Sequence, residues 1–319
     1  MIPRAAGVAL LKRLAVASVT AVVVALLVVG AATVATQDAA EREPVATPEY
    51  APDAIATTPI PADGEVEIDR STGEGEGIVV VDATHSNRFD RSDVAPLARA
   101  LASLGYGIRI HDGGQNLHQA LSDANAFVVV DPAREFESNE YATVRAFTER
   151  GGRLLLVGEP NRMQRLEHVS GEAFAVQESA LTTLAAAYDM SLGTAYLYNL
   201  ETNGGNYKHV LAEPTPESGL AFDRVTTFTA APVSASGGTV LLRATEHTHV
   251  AGLDGTERYP VAVRDGNVLL LGDSSILRTG RHTVGDNEQF VAYVAEFLAD
   301  GDPGDDGSVG RGDDGDESG

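Results

Sequence analysis

The stretch Gly151-Gly152-Arg153-Leu154-Leu155-Leu156-Val157-Gly158-Glu159 places four consecutive apolar residues between glycine-containing turns. An apolar run without polar alternation is typical of a parallel strand that is covered on both faces. Two further runs, Ile78 to Val81 and Phe127 to Val130, have the same character, and Asn267 to Leu271 repeats it late in the chain. Tyr106 to Ile110 is a weaker example. These runs predict the strands of a buried parallel sheet.

Helical patterns separate the apolar runs. One helix is predicted by apolar residues at helical spacing, which are Val94, Leu97, Leu101 and Leu104. Ser92 or Asp93 would cap this helix, and Gly105 would end it. A second helix is predicted from about Ser138 to Arg150, ending at the glycine pair. The alternation of strands and helices predicts an α/β fold with a doubly wound, mostly parallel, flavodoxin-like sheet.

The second half of the chain is less regular. Ser179 to Tyr188 reads as a helix, and the region from Thr194 to Arg264 contains short alternating segments broken by glycine and proline. Such segments predict antiparallel strands added to one edge of the sheet. A closing helix is predicted by Phe290, Val294, Phe297 and Leu298, with Asp286 as its cap. The α/β domain is therefore expected to span residues 77–299.

The amino-terminal region predicts a membrane anchor. Leu14 to Thr36 contains 23 residues without a charged side chain, enough for a transmembrane helix. Basic residues precede this span and acidic ones follow it, which predicts a cytoplasmic segment 1–13 and an extracellular domain at the cell membrane. A cleaved signal peptide is the alternative, since Thr33-Val34-Ala35 offers small residues. Residues 37–76 and 300–319 are expected to be a disordered linker and a disordered acidic tail.

The charge balance excludes one class of partner and indicates an environment. The chain has 46 acidic and 23 basic residues, a formal net charge of −23. Such a charge repels phosphates, so no nucleic acid partner is expected. The basic residues include only two lysines, Lys12 and Lys208, and an acidic, lysine-poor composition is typical of proteins from salt-accumulating halophilic archaea. The chain has no cysteine, so packing alone must hold the fold.

Polar residues follow the predicted strands, where ligands bind in open α/β sheets. The predicted ligand cleft consists of Asp82, His85, Asn87, Asp131, Glu159, Asn161, Asp273, Ser274 and Ser275. The alternative for each residue is a structural role, because Asp and Asn routinely cap helices and brace loops at such junctions.

Specific chemistry is only weakly indicated. Asp82-x-x-His85 and His247-x-His249 are short metal-ligand patterns without a third ligand at fixed spacing, so no metal is predicted. Ser274 and Ser275, with His85 or His282 as base, do not lie in a Gly-x-Ser-x-Gly sequence. The glycines at positions 73, 75, 77, 113 and 114 do not match a phosphate-binding loop, so no cofactor is predicted.

Three stretches carry a resemblance to a known family. They are residues 80–89 (Val-Val-Asp-Ala-Thr-His-Ser-Asn-Arg-Phe), the stretch 151–159, and residues 271–277 (Leu-Gly-Asp-Ser-Ser-Ile-Leu). Together they resemble domain of unknown function 4350 over roughly residues 77–299. The resemblance implies a class I glutamine amidotransferase-like fold, a membrane anchor, and a role beside MoxR-type ATPases in envelope assembly or transport. Amidotransferase chemistry is not implied, because the turn 158–161 reads Gly-Glu-Pro-Asn and the chain lacks cysteine.

The sequence thus predicts an extracytoplasmic, membrane-anchored domain that binds a small ligand or a protein partner, or acts as a scaffold, without catalysis. The alternative is an exported metal- or serine-dependent hydrolase that uses the same strand-end cleft. Enzymatic activity is not predicted by any motif, and the missing cysteine argues against an active amidotransferase.

Overall fold

The computed structural model describes residues 66, 76–168 and 171–302. Within these ranges no helix combines the length and the apolar character needed to cross a membrane. The predicted transmembrane span from Leu14 to Thr36, most of the linker and most of the acidic tail lie outside the described residues.

Five α-helices and fifteen strands lie within the described residues. The helices are α1 (Ala95–Ser103), α2 (Leu117–Ala120), α3 (Ser138–Glu149), α4 (Leu181–Ala186) and α5 (Asn287–Ala299). The strands are β1 (Gly77–Asp82), β2 (Tyr106–His111), β3 (Ala126–Val130), β4 (Arg153–Val157), β5 (Arg162–His168), β6 (Gly171–Gln177), β7 (Met190–Leu192), β8 (Leu197–Tyr198), β9 (Leu211–Pro214), β10 (Val225–Thr226), β11 (Val233–Ala235), β12 (Thr239–Ala244), β13 (His249–Val250), β14 (Pro260–Asp265) and β15 (Val268–Leu271).

Nine of these strands form one sheet in the order β10-β9-β12-β14-β15-β4-β3-β1-β2. The strands β15, β4, β3, β1 and β2 run parallel, and β14, β12, β9 and β10 extend the sheet in antiparallel pairs. The predicted α/β sheet with antiparallel additions is therefore confirmed. Strand order reverses between β1 and β3, because the chain adds β2 on one side of β1 and β3 on the other.

Alternate residues of the parallel strands face two separate cores. Val79 and Val81 of β1 pack in a cluster that includes residues of α1 and α5. Val80, between them, packs in a second cluster with residues of α2, α3 and α4. Because strand side chains alternate between faces, helices on both faces explain why the strands are apolar without interruption. The doubly wound arrangement follows from this.

Helix ends differ in detail from the expectation. Arg91–Asp93 forms a 3-10 turn, and Val94, rather than Ser92 or Asp93, is the N-cap of α1. The first turn of α1 contains a proline. Proline has no backbone N–H, and the N–H groups of a first turn have no intrahelical acceptor, so no hydrogen bond is lost there. Asp286 is the N-cap of α5, but its carboxylate accepts hydrogen bonds from the backbone of residues 223 and 224.

Helix α2 and strands β5, β6 and β7 were not predicted from the sequence. The short helix α2 has few residues to show a period, although Asn116 caps it by accepting a hydrogen bond from the Gln119 backbone. The strands β5 and β6 form a separate two-stranded hairpin directly after β4. The alternation of Phe174 and Val176 with small residues was an available signal for that hairpin.

Candidate functional site

The point of strand reversal holds an acid–base cluster built around His85. Asp82 ends β1, and its Oδ2 lies 2.8 Å from His85 Nδ1. The other ring nitrogen, Nε2, lies 3.2 Å from Oε2 of Glu140, in the first turn of α3. The ring stacks on Phe136 with centroids 3.7 Å apart. We call Asp82, His85 and Glu140 the switch-point cluster.

The charges of the switch-point cluster compensate each other. Burial opposes ionisation of His85, but the two carboxylates outweigh it and raise the pKa of His85 above its ordinary value. Burial likewise acts to raise the pKa of Asp82, yet hydrogen bonds with His85 and Thr84 hold that pKa below the usual value. A neutral imidazole has a single N–H, so hydrogen bonds to both carboxylates require the imidazolium. The cluster is therefore a charged network.

The loops after β1 and β3 are bound to each other across the reversal point. Ala133 and Arg134 donate backbone hydrogen bonds to the His85 carbonyl, and the Arg88 guanidinium binds Asp131 at 3.0 Å. Ser86 and Asp131 have positive φ angles of 53° and 35°. Such backbone conformations are costly for these residue types and persist where the surroundings impose them. These contacts hold the two loops together at the point of strand reversal.

A second polar group lies at the ends of β4 and β15. Glu159 Oε1 accepts hydrogen bonds from the Ser274 hydroxyl and from the Ser274 backbone, the latter at 3.0 Å. The Arg162 guanidinium forms an ion pair with Oε2, although that contact lacks hydrogen-bond geometry. Asp273 accepts from the backbone of Ser275 at 2.8 Å. We call Glu159, Arg162, Asp273 and Ser274 the Glu159 cluster.

The Glu159 cluster brings two carboxylates together in a buried place. Burial, and then the neighbouring Asp273, raise the pKa of Glu159 to about 7, against the opposing effects of Arg162 and Ser274. Burial acts to lower the pKa of Arg162, but the charges of Glu159, Asp131 and Asp273 raise it. Arg162 is therefore ion-paired with Glu159, and its charge is also stabilised by the carboxylates of Asp131 and Asp273.

A chain segment covers the Glu159 cluster. Residues 227–233, the covering segment, pass over the end of β15. The Phe228 backbone donates to Asp273, and the Ala231 backbone donates to the Gly272 carbonyl at 2.8 Å. A Cβ at Gly272 would lie 2.0 Å from the Ala231 oxygen, so only glycine permits this approach.

The structure gathers all nine predicted cleft residues at the carboxyl edge of the parallel strands. Seven of them are buried, and only Asn87 and Asn161 are partly exposed. The Asn87 side chain bridges the His85 and Val130 backbones, while the Asn161 backbone donates to Thr194. The sequence did not predict that Arg88, Glu140 and Arg162 belong to the site. Arg88 and Glu140 contact residues that are distant in sequence, and Arg162 contacts Glu159 across a turn.

The His247-x-His249 pair and the serine and histidine residues considered for catalysis have separate surroundings in the structure. His247 has a positive φ of 61° and precedes β13, so it does not share a strand face with His249, which stacks on Tyr198. Among the described residues no group of three or more His, Asp or Glu side chains is arranged to hold a metal ion. Ser274 donates its hydroxyl to a carboxylate, and His85 is engaged by two others. His282 Nδ1 lies 3.2 Å from the Arg278 carbonyl.

These features define a mixed α/β domain with a large, mostly parallel central sheet and buried charged clusters at the carboxyl edge of that sheet. Residues 93–295 match the family described as Domain of unknown function (DUF4350), and the chain belongs to this family. The match includes the quoted stretches 151–159 and 271–277 but leaves β1 outside. No curated protein sequence matches the chain.

Solved structures that match this chain have low sequence identity. The structure described as the mmIFT52 N-terminal domain superposes with a TM-score of 0.56 at 14% identity, covering 70% of this chain and 98% of that one. A putative ThuA-like protein from Parabacteroides merdae gives a TM-score of 0.38 at 11% identity, covering 70% and 90%. A glutamine amidotransferase from Methylobacillus flagellatus gives 0.34 at 12% identity, covering 70% and 92%. The first of these supports the fold alone.

Proposed function

We propose that this chain is a binding or scaffold domain that performs no catalysis, held outside the cell by a membrane anchor. The observation that carries the proposal is that buried strand-end polar groups bind one another. Both ring nitrogens of His85 contact carboxylates, and the Ser274 hydroxyl donates to Glu159. A nucleophilic serine needs a base that accepts its proton and room for a substrate, whereas these groups are buried against each other.

The finer parts of the proposal come from the sequence. The apolar span from Leu14 to Thr36 and the charges around it support an extracellular position, and the acidic, lysine-poor composition supports a halophilic source. Resemblance to the family supports a role with a MoxR-type ATPase in envelope assembly or transport. The edge defined by Asp82, His85, Glu159 and Asp273 would then act as a rigid base for the contact surface.

Crosslinking of the full chain in its native membrane, followed by identification of the captured proteins, tests this proposal. We expect an ATPase or another envelope protein to be captured. The matched test is a panel of ester, amide, phosphate and glycoside substrates, assayed at high salt. Turnover that Glu159→Gln abolishes without unfolding the protein would show that the chain is an enzyme.

One observation favours the second candidate, an exported hydrolase. A carboxylic acid with a pKa of about 7 is suited to donate and accept protons at neutral pH, and Glu159 has that property. The burial of Glu159 opposes this candidate, because a substrate would have to reach a side chain that is only 2% exposed. Activity in the panel with an apparent pKa near 7 would support the hydrolase.

A further inference from the structure

The hairpin of β5 and β6 has no role in the proposed function described above. Its strands pair in antiparallel register from Arg162 with Gln177 to His168 with Gly171. It forms a sheet of its own, separate from the nine-stranded sheet, and it begins three residues after Glu159. The hairpin therefore extends from the carboxyl edge of the parallel strands.

One face of the hairpin carries three exposed apolar side chains beside one arginine. Met163 is paired directly with Val176, and Phe174, two residues from Val176 on the same face, is paired with Arg165. These side chains are 68%, 54% and 63% exposed, respectively. We call Met163, Phe174 and Val176 the hairpin face. An exposed apolar β surface of this kind favours association with another chain.

The charge of the hairpin differs from that of the whole chain. Residues 162–177 contain two arginines and two glutamates, which sum to a formal charge of zero, while the chain carries −23. Two copies of so acidic a chain repel each other over most surfaces. They approach with least repulsion through a neutral, apolar segment.

Both ends of the described domain lie at the amino ends of the parallel strands, on the side of the sheet opposite the hairpin. Gly77 opens β1 there, and the Asp302 backbone donates to Gly151 just before β4. The segments that precede and follow the domain thus connect at the amino edge of the parallel strands. The hairpin lies at the other edge, where a second domain can approach it.

We propose that the hairpin face packs against the same face of a second copy of this chain, forming a two-fold symmetric dimer. In such an interface the same patch serves both partners, so three apolar side chains in a segment of zero formal charge can pack against their own copies. Three side chains bury less area than the roughly 1,000 Å² of a stable interface, so the dimer is weak and depends on local concentration. The inference goes beyond the proposed function, since a dimer needs no other partner.

Single-cysteine crosslinking tests the dimer, because the natural chain has no cysteine. Val176→Cys is introduced into the full chain in its membrane and treated with a mild oxidant. The matched control is Leu253→Cys, a similarly exposed position at 63% outside the hairpin. We expect a disulfide-linked dimer from Val176→Cys, no dimer from Leu253→Cys, and loss of the dimer when Phe174→Ser is added to Val176→Cys.

Each other outcome overturns the inference. Absence of the Val176→Cys dimer would show that the hairpins do not meet. Equal dimer from Leu253→Cys, or dimer that persists with Phe174→Ser, would indicate random collision. An adduct with a different protein would assign the hairpin face to that partner instead. Partner capture by the unsubstituted chain is a separate measurement, so failure of the dimer and failure of the proposed function are distinguishable.

Discussion

The two polar clusters lie at the same edge of one sheet but balance charge in different ways. In the switch-point cluster a cation lies between two carboxylates, so the pKa of His85 is raised and that of Asp82 is lowered. In the Glu159 cluster burial, and then the neighbouring Asp273, raise the pKa of Glu159 to about 7. Burial therefore prevails at Glu159, whereas hydrogen bonds and opposite charges outweigh burial at Asp82 and His85.

Asp82→Asn is expected to have the largest effect on stability. Asp82 is fully buried, and its removal leaves the His85 imidazolium without its closest counter-charge. Breaking a buried ion pair on one side costs about 3–5 kcal/mol of unfolding free energy. Chemical denaturation measures this loss, with Asp123→Asn as the control.

Asp123 pairs with Arg109 on the surface, where the Asp123 side chain is 54% exposed. Removal of such a partner costs about 1 kcal/mol or less. If the two substitutions destabilise the chain equally, the switch-point cluster is not a compensated charge network, and the contrast with the Glu159 cluster disappears.

The pH dependence of stability separates the two clusters. The pKa of Glu159 is raised from 4.5 to about 7, so its stabilising contribution is complete below pH 4.5 and is lost as the pH rises through 7. A difference of this size corresponds to about 3 kcal/mol. We expect Glu159→Gln to remove this decline in a series of denaturation curves between pH 4 and about 8.

The switch-point cluster should retain its own pH dependence in Glu159→Gln. The raised pKa of His85 gives stability that is complete below 6.5 and lost as the pH rises through the folded-state value. The lowered pKa of Asp82 gives stability that is complete above 3.8 and lost toward acid. An unchanged pH profile in Glu159→Gln would contradict the assignment of the raised pKa to Glu159.

Gly272→Ala should have the smallest effect of the three substitutions. Its Cβ would meet the Ala231 oxygen, so the covering segment must shift away from the Glu159 cluster. Steric insertion of this kind costs about 1–3 kcal/mol. The control is Gly107→Ala in β2, whose Cβ would lie 3.8 Å from its nearest neighbour. Equal melting temperatures for both variants would show that the covering segment does not pack tightly there.

The sequence was informative where one pattern has one physical cause. The apolar runs at Ile78, Phe127 and Leu154 identified three strands of the sheet, because a strand covered on both faces has no polar side. The period of α1 and the glycine pair after α3 were equally direct. Strand ends also located the candidate site, since parallel strands bring their carboxyl ends to one edge.

The sequence was less informative where a contact joins distant segments. Glu140 lies 55 residues from His85, and no local spacing indicates that its carboxylate meets the ring. Asp82-x-x-His85 was compatible with a metal site, but the structure engages the second ring nitrogen with Glu140. In the sequence of the β5–β6 hairpin, only a short alternation of large apolar and small residues indicated strands. So short a pattern also occurs in helices and loops.

The sequence by itself determined the alternation of strands and helices, the edge at which polar residues gather, and the acidic charge of the chain. These properties follow from local periodicity and composition, which a chain carries before it folds. Only the tertiary structure decided that seven of the nine predicted cleft residues are buried, that His85 lies between two carboxylates, and that Asp273 acts on the ionisation of Glu159. Ionisation and access depend on which charges are brought together in a low-dielectric interior, and that is a property of packing.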